Sequence, residues 1–258
     1  MSTGEVTLQL EIEDMEQEIE RRCQFICQQV QQARRQGIVV GLSGGIDSAV
    51  TAALCQRALG KEKVLALWIG AHSAEEHAQD AKLIAQKLEL PLVEINLDEV
   101  TSQLVKSIEG PLQKRGLITG GLSTLTIGNT KARERMTVLY AVANELGYLV
   151  AGTCNRTEIY LGYETKGGDQ LCDFNPLATL VKAQVRAMAS YLGIPEKIIT
   201  KAPSADLWQG QTDEAEMGFT YQEADRYILT GEGPEEVVKK IQHLHKCSEH
   251  KRTLPPVI

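Results

Sequence analysis

The chain has 258 residues, of which 27 are Lys or Arg and 34 are Asp or Glu, so its formal net charge is −7 at pH 7. Hydrophobic residues make up 43% and charged residues 24%, which is typical of a folded globular protein and argues against a disordered, collagen-like or coiled-coil chain. The acidic balance disfavours a general nucleic-acid-binding surface, and no apolar stretch is long enough to span a bilayer.

Apolar residues recur every three or four positions from Leu8 to Ala33, which predicts an amphipathic N-terminal helix that stops before Gly37. Short apolar runs then predict buried strands at 38–42, 64–69, 92–97 and 148–151. Ser73 and Glu76 have the spacing of a capping box. Helices are predicted at 47–59, 75–88, 129–146, 182–192 and 234–247, and loops at 116–130 and 162–175.

The alternation of strands and helices predicts an α/β fold with an open parallel sheet and helices on both faces. No linker divides the chain, so we predict a single domain over 1–258, with the N-terminal helix in 1–36 and the core and C-terminal helices in 37–258. The six cysteines include no Cys-x-x-Cys pair, and the chain begins without a signal-peptide pattern. We therefore expect reduced thiols, a cytoplasmic location and no membrane or nucleic-acid partner.

A loop rich in glycine and serine, Gly-Leu-Ser-Gly-Gly-Ile-Asp-Ser, runs from Gly41 to Ser48 between the first strand and the next helix. Backbone N–H groups, hydroxyls and the helix N-terminus suit it to bind phosphate. The loop lacks the lysine of a Walker A motif and the Gly-x-Gly-x-x-Gly of a dinucleotide fingerprint. Asp47 would repel a bound phosphate unless a cation lay between them, which indicates Mg²⁺.

The loop Ser-Gly-Gly-Ile-Asp-Ser at 43–48 resembles the pyrophosphate-binding loop of the N-type ATP pyrophosphatases. Members of that superfamily have the adenine nucleotide alpha hydrolase-like fold, adenylate an oxygen of their substrate and release pyrophosphate. A nitrogen or sulfur nucleophile then displaces AMP. The loop by itself therefore implies a type of reaction and not a substrate.

Further segments resemble the NAD synthetases in particular, in the order of that family: NTKARERM at 129–136, GTCNRTE at 152–158, GYETKGGD at 162–169, the positions Asp173, Pro176-Leu177 and Lys182, PSADL at 203–207, QTDE at 211–214 and HKR at 250–252. The resemblance implies ATP-dependent amidation of deamido-NAD by ammonia through an acyl-adenylate, with release of AMP and pyrophosphate. It further implies a homodimer, and we expect the N-terminal helix and the helix 129–146 to form its interface. Only 37 residues precede the first strand, without a Cys-Glu-Lys amidase pattern, so we expect free ammonia rather than glutamine as donor.

The same resemblance assigns binding residues. It implies that Asp47 and Glu158 hold Mg²⁺, and that Asp169, Asp47 and Lys182 are catalytic. The ATP-binding positions are Gly41, Leu42, Ser43, Gly44, Gly45, Ile46, Asp47, Ser48, Thr153, Lys182 and Ser204. The positions for deamido-NAD are Arg133, Lys166, Asp173, His250 and Lys251.

Several of these residues also have an ordinary structural interpretation. Glu158 fits a solvated helix start, and Arg133 fits i,i+4 pairing on a charged helix. His250 and Lys251 fit a solvated tail. The segment 201–211, with its single Trp208, fits either a lid over ATP or a plain surface connection.

Asp169 carries the prediction for the second step. Ammonia is mostly ammonium at neutral pH, and a carboxylate beside it attracts the cation and accepts its proton. Two rival functions remain at this point: another adenylating enzyme that aminates a base or thiolates tRNA, and a nucleotide-binding regulator without chemistry.

Overall fold

The computed structural model describes residues 12–204 and 212–257. The predicted N-terminal helix begins later than its apolar pattern, and residues before 12 lie outside the described part. The strands are β1 Ile38–Gly41, β2 Val64–Gly70, β3 Leu92–Asn96 and β4 Leu149–Ala151. The helices are α1 Met15–Gln32, α2 Ile46–Leu59, α3 Glu75–Lys87, α4 Asp98–Lys114, α5 Thr124–Leu146, α6 Arg156–Leu161, α7 Lys182–Tyr191, α8 Glu196–Thr200, α9 Asp213–Met217, α10 Tyr221–Thr230, α11 Glu235–Cys247 and α12 Glu249–Arg252.

The four strands form one parallel sheet in the order β3-β2-β1-β4, which confirms the predicted fold class. Ile38 is in register with Val64 of β2 and with Leu149 of β4. Strands β2 and β3 lie on one side of β1, whereas β4 lies on its other side, so the strand order reverses at β1 and β4. In open α/β sheets, the carboxyl ends of the strands at such a reversal form the ligand-binding crevice.

Apolar side chains cover both faces of the sheet. Ile38 and Val40 point into a core shared with α1, α2, α3 and α7, whereas Val39 points into a second core with α5. All three side chains are fully buried. Burial on both sides explains why β1 is continuously apolar rather than alternating.

Two local predictions were wrong. Ser73 does not cap α3, because the N-cap is Ala74 and the Ser73 hydroxyl accepts a hydrogen bond of 3.0 Å from Arg135 of α5. The uncharged stretch 116–130 is not all loop, since α5 begins at Thr124. The Ser123 hydroxyl caps it by accepting from the N–H of Thr126 at 3.2 Å. The predicted loop at 162–175 carries no helix or strand, as expected.

Helix α4 was not predicted, and it lies between the predicted strand at 92–97 and the predicted loop at 116–130. Thr101 is its one buried residue within the described chain, whereas the apolar side chains of Val100 and Leu104 are exposed. Pro111 lies inside its last turn. Among the described residues, no helix is long and apolar enough to cross a membrane, and all six cysteines are free thiols.

Two left-handed glycines at helix ends offer a matched stability test. Gly147 ends α5 at φ 65° and Gly162 ends α6 at φ 64°. A Cβ on Gly147 would meet nothing within 4 Å, whereas a Cβ on Gly162 would lie 2.1 Å from the Cβ of Ser248. We expect Gly147→Ala to lower the free energy of unfolding by about 1 kcal/mol through backbone strain, and Gly162→Ala by about 2–4 kcal/mol because overpacking adds to that strain.

Urea denaturation of both variants measures this difference. Equal losses for the two variants would show that the contact between Gly162 and Ser248 does not constrain the C-terminal segment.

Candidate active site

The phosphate-binding loop predicted at 41–48 lies at the carboxyl end of β1 and leads directly into α2. The Ser48 hydroxyl accepts from the N–H of Ser43 at 3.2 Å and donates to the carbonyl of Gly45 at 2.9 Å, which holds the turn closed. Gly44 has φ 84°, and a Cβ there would lie 2.6 Å from the carbonyl oxygen of His77. The turn therefore leaves the N-terminus of α2 open toward a bound anion.

Asp47, Glu158 and Lys182 come from three distant segments and meet beside this loop. The Lys182 Nζ lies 2.5 Å from Oδ2 of Asp47 and 3.1 Å from Oε1 of Glu158. The Lys182 side chain is 3% exposed, so the ammonium is shielded from water while the two carboxylates still reach the cavity at 17% and 14% exposure. The lysine is thus a buried counter-ion, not the solvent-facing residue that its place at a helix start suggests.

Hydrogen bonds at the starts of α6 and α7 position Glu158 and Lys182 beside the loop. The Asn155 side chain accepts from the N–H of Glu158 at 3.0 Å, and the Glu158 carboxylate accepts from the N–H of Asn155 at 3.0 Å, completing a capping box on α6. The Asn155 amide also donates to Oδ1 of Asp47 at 2.8 Å. The N–H of Lys182 donates to the hydroxyl of Thr157 at 3.2 Å, which fixes the start of α7 against α6.

The charged residues of this cluster shift one another's pKa values. Burial, followed by the negative charge of Asp47, raises the pKa of Glu158 to about 8, although Lys182 opposes that shift. Burial alone would lower the pKa of Lys182, but the carboxylates of Asp47 and Glu158 raise it above the ordinary value. The lysine therefore stays an ammonium, and a cation is favoured at the position between the two acids.

Two further residues of this cluster were not assigned a role from the sequence. The Tyr221 hydroxyl donates to the carboxylate of Asp213 at 2.9 Å, and its ring centroid lies 4.8 Å from the Lys182 Nζ. Tyr221 is 1% exposed and Asp213 is 4% exposed. Spacing gives no signal for this pairing, because a tyrosine at a helix start normally indicates packing alone.

A cavity of about 470 Å³ opens at this end of the sheet. Its wall includes the loop, the three charged residues just described, and Thr153 and Ser204, which were predicted to contact ATP. The predicted lid at 201–211 is described only through Ser204, and Trp208 lies outside the described residues. Lys201 donates to Oδ2 of Asp80 at 2.6 Å, which ties the start of that segment to α3.

Asp169 lies on the loop after α6 and is open to the same cavity. Its Oδ1 accepts from the N–H of Thr165 at 2.8 Å, and its Oδ2 lies 3.9 Å from the thiol sulfur of Cys154. The structure thus brings Asp169 into the wall of the cavity that the phosphate-binding loop also lines.

The residues predicted to bind deamido-NAD divide into three positions. Lys251 lines the cavity. Arg133 donates to the carbonyl of Lys166 at 3.2 Å, and the Lys166 ammonium donates to the carbonyl of His250 at 2.6 Å, so these three residues form a connected, exposed patch. Asp173 accepts from the N–H of Val150 at 2.7 Å and holds the end of the loop against β4.

No group of three or more His, Cys, Asp or Glu residues with the arrangement of a metal site occurs within residues 12–204 and 212–257. Two carboxylates facing a phosphate-binding loop nevertheless fit Mg²⁺, which usually takes one or two carboxylates together with substrate phosphates and water. Asp47 and Glu158 supply such hard oxygen donors, and the ammonium that they now share shows that the position accepts a positive charge.

The parallel sheet, the glycine-rich turn at its reversal point and the acids around it define an α/β protein of the adenine nucleotide alpha hydrolase type. The NAD synthase family model matches residues 18–255. The chain therefore belongs to the NAD synthase family.

Two relatives in sequence are described as NH(3)-dependent NAD(+) synthetases. The chain is 45% identical over 242 residues to an NH(3)-dependent NAD(+) synthetase of Carboxydothermus hydrogenoformans, covering 94% of this chain and 97% of that protein. It is 40% identical over 258 residues to the enzyme of the same description from Methanocaldococcus jannaschii, covering 95% and 97%.

Two solved synthetase structures superpose on nearly the whole chain. An NMN synthetase of Francisella tularensis superposes with a TM-score of 0.85 at 34% identity, covering 95% of this chain and 98% of that chain. The NH3-dependent NAD synthetase of Campylobacter jejuni superposes with a TM-score of 0.77 at 30% identity, covering 96% and 100%.

Proposed function

We propose that this protein makes NAD by amidating deamido-NAD with ammonia at the expense of ATP, through an acyl-adenylate, as the last step of NAD biosynthesis. The observation that carries the proposal is one cavity lined by a phosphate-binding loop, by the cluster of Asp47, Glu158 and Lys182, and by Asp169. Adenylation needs the first two features, and ammonia capture needs the third. A regulator without chemistry has no use for this combination.

The first step places the carboxylate of deamido-NAD against the α-phosphate of ATP. Backbone N–H groups of 43–48 and the N-terminus of α2 hold the pyrophosphate as it leaves. Lys182, fixed by Asp47 and Glu158, supplies a positive charge where negative charge develops. Mg²⁺, when bound by Asp47 and Glu158, would further offset the charge of the phosphates.

The second step uses ammonia. Asp169, open to the cavity, attracts ammonium and accepts a proton, so that the nitrogen attacks the carbonyl carbon of the adenylate. The ammonium of Lys251, which lines the cavity, and the exposed patch of Arg133, Lys166 and His250 suit the pyrophosphate and carboxylate of the dinucleotide.

We further propose that the protein acts as a homodimer in the cytoplasm, with α1 and α5 at the interface. Leu125 and Leu146 at the two ends of α5 are exposed large apolar side chains. Sedimentation equilibrium should therefore give twice the chain mass.

The activity is tested by following pyrophosphate and NAD separately in mixtures of Mg-ATP and deamido-NAD. We expect both products to appear together with ammonium chloride and very little NAD with glutamine. Glutamine outperforming ammonium at equal concentration would contradict the proposed donor. If pyrophosphate is released but no NAD forms, the protein adenylates its substrate but does not use the tested nitrogen donor. If the protein binds ATP but forms neither product, a nucleotide-binding regulator without chemistry becomes the favoured function.

A mononucleotide acid is the second candidate substrate, because the Francisella tularensis protein that superposes at a TM-score of 0.85 is described as an NMN synthetase. The same assay with deamido-NMN in place of deamido-NAD decides between them. We expect the dinucleotide to give the higher kcat/KM, and a higher value for the mononucleotide would reassign the substrate.

A further inference from the structure

A second carboxyl group lies beside Asp169. Glu164 belongs to the same loop, lines the same cavity and is 9% exposed. The sequence assigned it no role. Glutamate is rarely buried without a partner that uses its charge or its proton.

The thiol of Cys154 lies beside Asp169, with its sulfur 3.9 Å from Oδ2 of that residue. Glu164 lies on the same loop as Asp169, is buried, and lines the same cavity as Asp169 and Cys154. The two acids and the thiol therefore share one cavity.

Cationic side chains do not neutralise Glu164 by direct pairing. The Lys251 ammonium donates to the carbonyl oxygens of Gly162 and Glu164 at 2.7 and 2.5 Å, which fixes the backbone of the loop. Arg252 donates to carbonyls of α6 at 3.2 and 3.3 Å. Within residues 12–204 and 212–257, neither cation forms a salt bridge with the Glu164 carboxylate, because Lys251 bonds main-chain carbonyls and Arg252 bonds main-chain carbonyls and the Ser248 hydroxyl.

The protonation behaviour of Glu164 suits proton transfer near neutral pH. Burial, followed by the negative charge of Asp169, raises its pKa to about 7, while Lys251, Arg252 and the Cys154 thiol oppose that shift. The thiols of Cys154 and Cys172 also have raised pKa values because of burial, so they remain neutral. A group with a pKa near the working pH exchanges a proton most effectively.

The chemistry of the proposed second step requires two proton acceptors. Ammonium and the acyl-adenylate give the amide, AMP and two protons: a C–N bond forms from the nitrogen lone pair, and the bond from the carbonyl carbon to the bridging oxygen breaks with its electrons on AMP. One proton leaves before the nitrogen can attack. The second leaves the nitrogen after attack, because the new N–C bond makes it cationic.

We propose that Glu164 is a second catalytic carboxylate, and that Glu164 and Asp169 together accept the two protons that ammonium loses on becoming the amide. This inference rests on the proposed function. It deepens that function by assigning a proton-accepting pair where the sequence pointed to a single aspartate.

The test is Glu164→Gln, assayed in single turnovers that separate pyrophosphate release from amide formation. We expect pyrophosphate release within about twofold of wild type and amide formation slowed about 10–100-fold. Glu164→Asp should restore part of the rate, since it keeps the carboxylate. At a fixed concentration of neutral ammonia, the wild-type rate should rise with pH through about 7, and this rise should disappear in Glu164→Gln.

Hydroxylamine provides the sharper comparison. It is mostly neutral at pH 7 and loses only one proton on forming the hydroxamate, so one carboxylate suffices. We expect Glu164→Gln to react nearly normally with hydroxylamine, and the double variant with Asp169→Asn to be slow with both nucleophiles. Glu109→Gln is the control, because it removes the charge of a carboxylate that accepts from the N–H of Leu122 at 2.7 Å and that does not line the cavity.

Amide formation at the wild-type rate and with the wild-type pH profile in Glu164→Gln would overturn the inference. Equal loss of both steps would also overturn it, because that result indicates a structural role. If wild type itself forms no amide from deamido-NAD and ammonium, the proposed function fails instead, so the two failures are distinguishable.

Discussion

Replacing Lys182 by methionine is expected to lower the free energy of unfolding by about 3–5 kcal/mol and to reduce adenylate formation at least about 100-fold. The Lys182 Nζ is the ammonium partner of both Asp47 and Glu158, at 2.5 and 3.1 Å, and the side chain is 3% exposed. Without it, ionised Glu158 faces the Asp47 carboxylate, and only hydrogen bonds from Asn155 and Tyr221 offset the repulsion. Urea denaturation in EDTA and a pyrophosphate-release assay measure the two losses.

The pH dependence of Lys182→Met has a definite sign. The pKa of Glu158 is already raised from 4.5 to about 8, and loss of the ammonium removes a group that lowers it. A carboxyl group with a raised pKa binds a proton more tightly in the folded state than in the unfolded state. The variant should therefore lose stability as pH rises from about 4.5 to 8.

An exposed ion pair provides the control for this variant. Lys61 pairs with Glu89 at 2.6 Å with 47% and 72% of the side chains exposed, so Lys61→Met should leave the free energy of unfolding nearly unchanged. Mg²⁺ should stabilise Lys182→Met more than wild type, because a cation between Asp47 and Glu158 replaces the missing charge. Unchanged stability and activity in Lys182→Met would contradict the assignment of the cluster.

Asp169→Asn is expected to leave pyrophosphate release intact and to slow amide formation about 100–10,000-fold. The asparagine oxygen can still accept from the N–H of Thr165, at 2.8 Å in wild type, so the loop should keep its conformation. The substitution removes the negative charge that attracts ammonium and the base that takes its proton. Rapid-quench single turnovers with both products quantified measure the two steps.

Hydroxylamine should relieve much of the defect of Asp169→Asn, because it needs no deprotonation before attack. Equal slowing of pyrophosphate release and amide formation would show that Asp169 acts in substrate binding or folding. A melting temperature equal to that of wild type would confirm that the loop is intact.

The sequence was sufficient for the sheet and for the loop after β1. A strand buried on both faces produces an unbroken apolar run, and Ile38, Val39 and Val40 do so because each is fully buried. The phosphate-binding turn is local, so its glycines and serines are readable from neighbouring positions. Helix α4 was not predicted, although Val100, Leu104, Ile108 and Leu112 recur every four positions and form a helical pattern.

The site was only partly predictable, because its contacts join residues that lie far apart in the sequence. Resemblance identified Asp47, Glu158 and Lys182, but no local pattern indicates that Lys182 is a buried counter-ion, since its partners lie 135 and 24 residues away. Tyr221 depends on the same kind of long-range contact, because its ring lies over the Lys182 ammonium. The Asn155 capping box was readable from its spacing to Glu158, three residues on, and would have predicted a fixed rather than solvated glutamate.

The contacts of Arg252 join α12 to α6, the helix that carries Glu158. Helix α6 has six residues, too few to persist without outside support. The guanidinium of Arg252 donates to the carbonyls of Ile159 and Tyr160 in the last turn of α6. Amide hydrogen exchange should therefore find α6 and α12 opening as one cooperative unit, so that fraying at the C-terminus reaches the acid beside the phosphates.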